Sequence, residues 1–163
     1  MHLTRHTDYA LRLLLHVASH DGGKSSIAEV AEIHGISHNH LMKVVQQLAH
    51  AGFLETRRGR GGGFSLGRKA EDIRLGDVVR LTEPDAALAE CGTCRIRSAC
   101  SLMGILWEAR AALMAVLDRY TLADAAGNGQ ALSALVESLR AAGTRQDDAE
   151  TDAASCRARE PEA

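Results

Sequence analysis

Two stretches with helical periodicity, separated by a single glycine turn, constrain this chain more than any other feature. Ser26 caps the first, Ile27–His34, and Glu29 lies in its first turn, where negative charge is favoured. Gly35-Ile36 then makes a tight turn, and Ser37 caps a second helix that runs to about Ala51. Leu41, Val44, Val45 and Leu48 recur along that helix at the spacing of one buried face. Two short helices joined by a turn containing Gly, the second amphipathic, form the helix-turn-helix pattern. A helical hairpin can also serve packing alone, so the residues after it decide.

Gly52-Phe53-Leu54-Glu55-Thr56 begins a strand, and Arg57-Arg58-Gly59-Arg60-Gly61-Gly62-Gly63-Phe64-Ser65-Leu66 turns back from it. A turn rich in Gly and Arg between short strands predicts a β-hairpin. Its glycines permit close approach to a phosphate backbone, and its arginines neutralise one. Directly after a helix-turn-helix, this hairpin reads as the wing of a DNA-binding domain. The fold class expected is mainly α with a small β-hairpin wing.

Further helices are expected on either side. Thr7 and Asp8 read as the cap and first residue of a helix carrying Leu11, Leu14, Leu15 and Ala18, closed by Asp21-Gly22-Gly23. Ile73–Leu81 reads as a short helix broken by Glu83-Pro84-Asp85. The first turn of the second helix of the pair, Ser37, His38, Asn39 and His40, is the part that meets base edges in the major groove. Asn39 can pair bidentately with adenine, and the histidines can bond bases or phosphates. Lys43 and Gln46 follow on an exposed face; solvation or capping is the ordinary alternative for this group. Arg57, Arg58 and Arg60 are expected on phosphates or in the minor groove.

The charge distribution agrees. Residues 1–80 hold 11 Lys/Arg against 8 Asp/Glu, and residues 81–163 hold 8 against 13, so a basic first half precedes an acidic second half. Ala10–Ala18 is the longest mainly apolar run, and Arg12 and His16 interrupt it, too short for a membrane span. The expected location is the cytoplasm, where four cysteines serve as metal ligands or sensors more often than as disulfides.

Three of the four cysteines cluster. Cys91-Gly92-Thr93-Cys94 has the spacing that lets two thiolates reach one metal or cluster corner, and Cys100 follows just before a long helix. Soft thiolates bind iron–sulfur clusters or zinc. Structural zinc wants four protein ligands, and no fourth Cys or His is near. A thiol switch needs only two or three cysteines and stays open. The helix beginning near Ser101 carries Leu102, Ile105, Leu106, Ala109, Leu113, Val116, Leu117 and Tyr120 on one stripe. Its burial would supply about 10–20 kcal/mol gross, against roughly 4–15 kcal/mol for association, so a homodimer helix is the reading; packing on its own domain is the alternative. Gln130–Ala142 can form a last short helix, and the polar tail 143–163, with Cys156, reads as disordered. The division expected is a winged domain over 1–82, a cysteine loop over 83–100, a dimerisation helix over 101–126, and a short helix with tail over 127–163.

These motifs together resemble the Rrf-two (BadM-like) transcriptional regulators, most closely their nitric-oxide-sensitive repressor branch. The resemblance rests on Leu3-Thr4 with Thr7-Asp8-Tyr9-Ala10-Leu11, Ser37-His38-Asn39-His40, Arg57–Gly63, Gly76-Asp77-Val78-Val79-Arg80, and Leu117-Asp118-Arg119-Tyr120-Thr121-Leu122-Ala123-Asp124. It covers roughly residues 1–125. It implies a homodimer on a palindromic operator in double-stranded DNA, with nitric oxide as signal and an iron–sulfur cluster near the dimer interface. The cluster implied is 4Fe-4S, with 2Fe-2S as the other form, held by Cys91, Cys94 and Cys100 and by an aspartate of the partner subunit, which falls on Asp8. Glu83, Asp85, Glu90 and Cys156 are the other candidates for that fourth ligand. The gap between the first two cysteines is shorter here than in the family. Cluster-assembly regulators carry a histidine where this chain has Met103, which weighs against that branch; an iron- or redox-responsive regulator remains the alternative. No Ser/His/Asp or paired-carboxylate arrangement suggests catalysis, so no enzyme is expected.

Overall fold

The computed structural model describes residues 2–19, 23–59, 61–83, 88–89, 91–127 and 129–141. Among them the chain forms α1 (Arg5–Ala18), α2 (Ile27–His34), α3 (His38–His50), β1 (Leu54–Arg57), β2 (Gly63–Leu66), α4 (Leu75–Thr82), α5 (Leu102–Leu117) and α6 (Leu122–Ala126). A further helix, α7, covers residues 129–141. Short 3₁₀ turns stand at Ala70–Asp72 and Arg97–Ala99.

The first helix starts earlier than its sequence suggests. Thr4 is the N-cap, its side chain accepting from the Thr7 N–H, and Thr7 is fully buried inside the helix. The Thr7 hydroxyl donates to Glu83 Oε1 at 2.7 Å, and the Thr4 N–H donates to the same oxygen at 2.5 Å. A carboxylate from the far end of α4 thus completes the cap, a long-range partner no local pattern announces.

The helix pair follows its local chemistry closely. Ser26 and Glu29 form a reciprocal capping box on α2. Gly35 ends α2 at φ 62°, the left-handed conformation that a Cβ disfavours. Ser37 caps α3 by accepting from the His40 N–H. The expected apolar face of α3 is buried with Ala10, Leu13, Leu14 and Val17 of α1, Val30 of α2 and Phe53, Phe64 and Ile73 of the following segments. The wing pairs antiparallel with Leu54 opposite Leu66 and Arg57 opposite Gly63. Phe64 also exchanges backbone bonds of 2.9 and 3.0 Å with Ser25, fastening the hairpin to the start of α2. In the turn, a Cβ on Gly62 would stand 2.4 Å from the Arg57 carbonyl oxygen, so only glycine closes this loop.

The single helix expected over 101–126 is two helices. Thr121 and Asp124 form a capping box that starts α6 anew after Asp118–Tyr120, and Leu122 is buried against α1. Backbone bonds Leu75 N–H to Tyr120 and Leu122 N–H to Ile73 tie this return to α4. No residue of α5 is buried within the chain. Leu106, Leu113, Met114 and Leu117 are half-buried and the helix rests against α4, so one side of it packs on its own domain while Leu102, Met103, Ile105, Trp107 and Val116 stay exposed. The predicted final helix is present as α7, whose Val136 is buried. Expectations for Asp21-Gly22, Asp85 and the tail with Cys156 fall outside the described residues.

Candidate DNA-reading surface and cysteine loop

Helical phase sorts the predicted DNA contacts. Ser37, His38, Asn39, His40, Lys43 and Gln46 are all exposed. Asn39, Lys43 and Gln46 share the face opposite Leu41, Val44 and Leu48. Ser37 and His40 are partly occupied: the Ser37 hydroxyl caps α3 and lies 2.9 Å from His40 Nδ1, and the His40 ring stands 5.9 Å from that of Tyr9 on α1. Gln47, one residue past Gln46, is structural, donating to the Leu81 carbonyl at 3.0 Å and bonding His6. These contacts lock the recognition helix between α1 and α4.

Arg57 and Arg58 are exposed, and their guanidinium groups have no acidic partner among the described residues. Arg60 lies outside the described residues. Sequence reasoning missed Lys24, whose Nζ donates to the Gly61 carbonyl at 3.4 Å and so stands beside the wing. Only the pairing of Ser25 with Phe64 brings it there. Arg68 is basic but structural: it donates to the Ala51 and Gly52 carbonyls and covers the Phe53 ring at 4.7 Å.

Cys91, Cys94 and Cys100 are free thiols on a loop built from successive tight turns. The Cys94 N–H donates to Cys91 at 3.4 Å, Arg97 to Cys94 at 3.3 Å and Cys100 to Arg97 at 3.4 Å. Cys94 is exposed and the other two are half-buried. The donor chemistry, three soft thiols within ten residues, fits an iron–sulfur cluster. Among the described residues no group of three or more His, Cys, Asp or Glu is gathered to hold a metal ion. Asp8 sits in the first turn of α1, its side chain 43% exposed, paired with Arg12 at 3.0 Å. That exposed pair is worth about 0.3–0.5 kcal/mol, so Asp8 can be recruited elsewhere cheaply. Glu83 has another job. Burial alone would raise its carboxyl, but the Thr7 hydroxyl and the Thr4 N–H outweigh burial and hold it below the usual glutamate value.

The loop leads into α5, which carries apolar residues around most of its circumference. Trp107 is 69% and Ile105 61% exposed, and Leu102, Met103 and Val116 are exposed with them. Ile96, in the cysteine loop, is likewise exposed. The predicted stripe included Ile105 and Val116 but not Met103 or Trp107. At the other end of α5, Asp118 pairs with Arg80 of α4, and a Cβ on Gly76 would stand 1.9 Å from Asp118 Oδ1. Two of the motifs quoted from the sequence thus meet in one joint.

A family model described as "Rrf2: Iron-dependent Transcriptional regulator" matches residues 3–128. The chain belongs to the Rrf2 family. This Rrf2 chain is 46% identical over 143 residues to the HTH-type transcriptional regulator NsrR of Bacillus subtilis, covering 84% of this chain and 98% of that one. The oxidized form of Staphylococcus aureus CymR superposes with a TM-score of 0.65 at 31% identity, over 78% of this chain and 97% of that one. T. potens IscR does so with a TM-score of 0.62 at 28% identity, over 76% and 85%. The Rrf2 chain is accordingly a transcriptional regulator and not an enzyme. Among the described residues no helix is long and apolar enough to cross a membrane.

Proposed function

We propose that this Rrf2 regulator is a cytoplasmic homodimeric repressor that binds a palindromic operator and responds to nitric oxide through an iron–sulfur cluster. One observation carries the reading: three free thiols lead directly into a helix on which Leu102, Met103, Ile105, Trp107 and Val116 stand exposed in the single chain. A helix apolar on most sides belongs in a buried setting. A second copy laid along α5 supplies it. The resemblance to NsrR supports nitric oxide as the signal.

In this reading residues 1–82 recognise DNA, 83–100 carry the cysteines, 101–126 hold the dimer contact, and 127–163 form the short helix and tail. Cys91, Cys94, Cys100 and Asp8 of the partner subunit hold the cluster, 4Fe-4S or else 2Fe-2S. When bound, the cluster supplies iron that nitric oxide attacks. The chain's own part is mechanical. Asp8 lies on α1 of the DNA-binding unit and the cysteines precede α5, so their common attachment fixes one unit against the other copy. The Arg80–Asp118 joint passes that position from α5 to α4, and Gln47 ties α4 to the recognition helix. Held in that way, Asp8 would set the spacing of the two recognition helices, which a palindrome requires to match its half-sites. Ser37, His38, Asn39, His40 and Lys43 read the major groove, while Arg57, Arg58 and Arg60 hold phosphates or the minor groove.

The alternative is an iron- or redox-responsive regulator, using a cluster or a thiol switch. Three free thiols within ten residues, one exposed and two half-buried, also suit a thiol switch. Anaerobic purification followed by optical absorption and iron and sulfide analysis separates the two. A broad visible band with both elements present supports the cluster; bare thiols with normal operator binding support the switch.

A further inference from the structure

Met42 breaks the pattern of the surface around it. Between Thr4 and Glu83 every other large apolar side chain among the described residues is buried or half-buried, while Met42 is 45% exposed. It follows Asn39 by three residues and precedes Gln46 by four, so all three belong to neighbouring rows of one helix surface. On its other side lie His38 and Val45, which with Thr56, Arg57 and Gly62 line a cleft of about 440 Å³ between α3 and the wing. Met42 therefore stands between the polar row of α3 and the hairpin, where the groove floor would pass. Nearly half of its surface is left in water, and an apolar group left there costs free energy unless a partner removes it.

The major groove offers one apolar group for that purpose, the C5 methyl of thymine. Methionine is unbranched and polarisable, and fits an apolar partner without a fixed rotamer. We propose that Met42 is a specificity-determining residue whose thioether packs against the C5 methyl of a thymine in each half-site, beside the base that Asn39 reads. This rests on α3 being the recognition helix.

The experiment removes the methyl and the thioether separately. Operator duplexes are selected from a random pool with the full, anaerobically purified chain, and each thymine is then replaced by deoxyuridine, which lacks only the methyl. The parent loses about fourfold in affinity when the critical thymine is replaced in one half-site, and about fifteenfold when it is replaced in both. Met42→Ala and Met42→Gln bind the unaltered operator more weakly by a similar factor and are indifferent to that replacement. Met42→Leu keeps the sensitivity. A parent that enriches no sequence at all overturns the recognition-helix reading and this proposal with it. A parent that selects an operator yet ignores every deoxyuridine, or a Met42→Ala that remains as sensitive as the parent, overturns this proposal alone.

Discussion

Glu83 and Thr7 show what a single pair decides. Thr7 is fully buried and its hydroxyl donates to the Glu83 carboxylate, so removing that acceptor leaves it only the longer 3.2 Å contact with the Thr4 hydroxyl. Glu83→Ala is expected to lower stability by about 1–3 kcal/mol, read as a shift in the denaturant midpoint at unchanged slope. The pH dependence of the difference follows from the direction of the shift. A carboxyl held below its ordinary value of 4.5 stabilises the fold above that pH and ceases to as pH falls through the lowered value. Parent and variant should converge at acid pH. This residue also marks a limit of the sequence. Thr4 and Thr7 are both capping types, and local chemistry favours neither; the choice falls to Thr4 because a partner 76 residues away takes Thr7. By contrast Ser26, Gly35 and Ser37 were legible, because their partners lie within a few residues.

At the scale of elements, α5 and the wing make separate predictions. Residues of α5 add nothing to the core of their own chain, so Ile105→Asp should leave the thermal transition of an isolated protomer unchanged while abolishing self-association. Sedimentation would show a monomer at concentrations where the proposed dimer of the parent forms, with the dissociation constant raised at least a hundredfold. For the wing, Arg57→Ala, Arg58→Ala and Arg60→Ala should each weaken DNA binding more at low salt than at high. Each lost phosphate contact reduces the slope of log affinity against log salt by about 0.9, and an unchanged slope removes that arginine from the contact set. The apolar stripe of α5 was readable as periodicity, but Met103 and Trp107 were not, since a helix apolar on several sides blurs the signal that marks one. The division of 101–126 into two helices was hidden as well. Thr121 and Asp124 are a plain capping box in hindsight, yet the apolar spacing runs through them to Leu122.

Across the whole molecule, two ion-paired joints among the described residues link α1–α4 to the helices that follow. One is Arg80–Asp118, between α4 and the end of α5. The other gathers α1, α2 and α7: His16 bonds Glu29 at 3.1 Å and His34 at 3.3 Å, and Arg140 pairs with Glu29. Burial, aided by the Arg12 charge, holds His34 below its ordinary 6.5. A histidine with a lowered folded-state value stabilises the fold fully above 6.5 and loses that contribution as pH falls through the lowered value. Glu29 is subject to burial too, which raises it, but Arg140, Ser26 and His16 bring it below 4.5, so its contribution is lost only at lower pH. Thermal stability should therefore fall in two stages below neutrality, and His34→Gln should flatten the upper one. All eight histidines lie at or before His50, but the assembly of His16 and His34 into this joint needs the packing of three helices. The three cysteines were legible as a candidate site from spacing alone, whereas the fourth ligand proposed for them, Asp8 of the partner subunit, rests on the family resemblance. The most direct measurement is an anisotropy titration of the selected operator with anaerobically prepared dimer, before and after nitric oxide, for the parent and for Cys94→Ala. The account predicts at least a tenfold loss of affinity for the parent on exposure, and weak, unresponsive binding by the variant. Tight binding by both proteins, unchanged by nitric oxide, would contradict it.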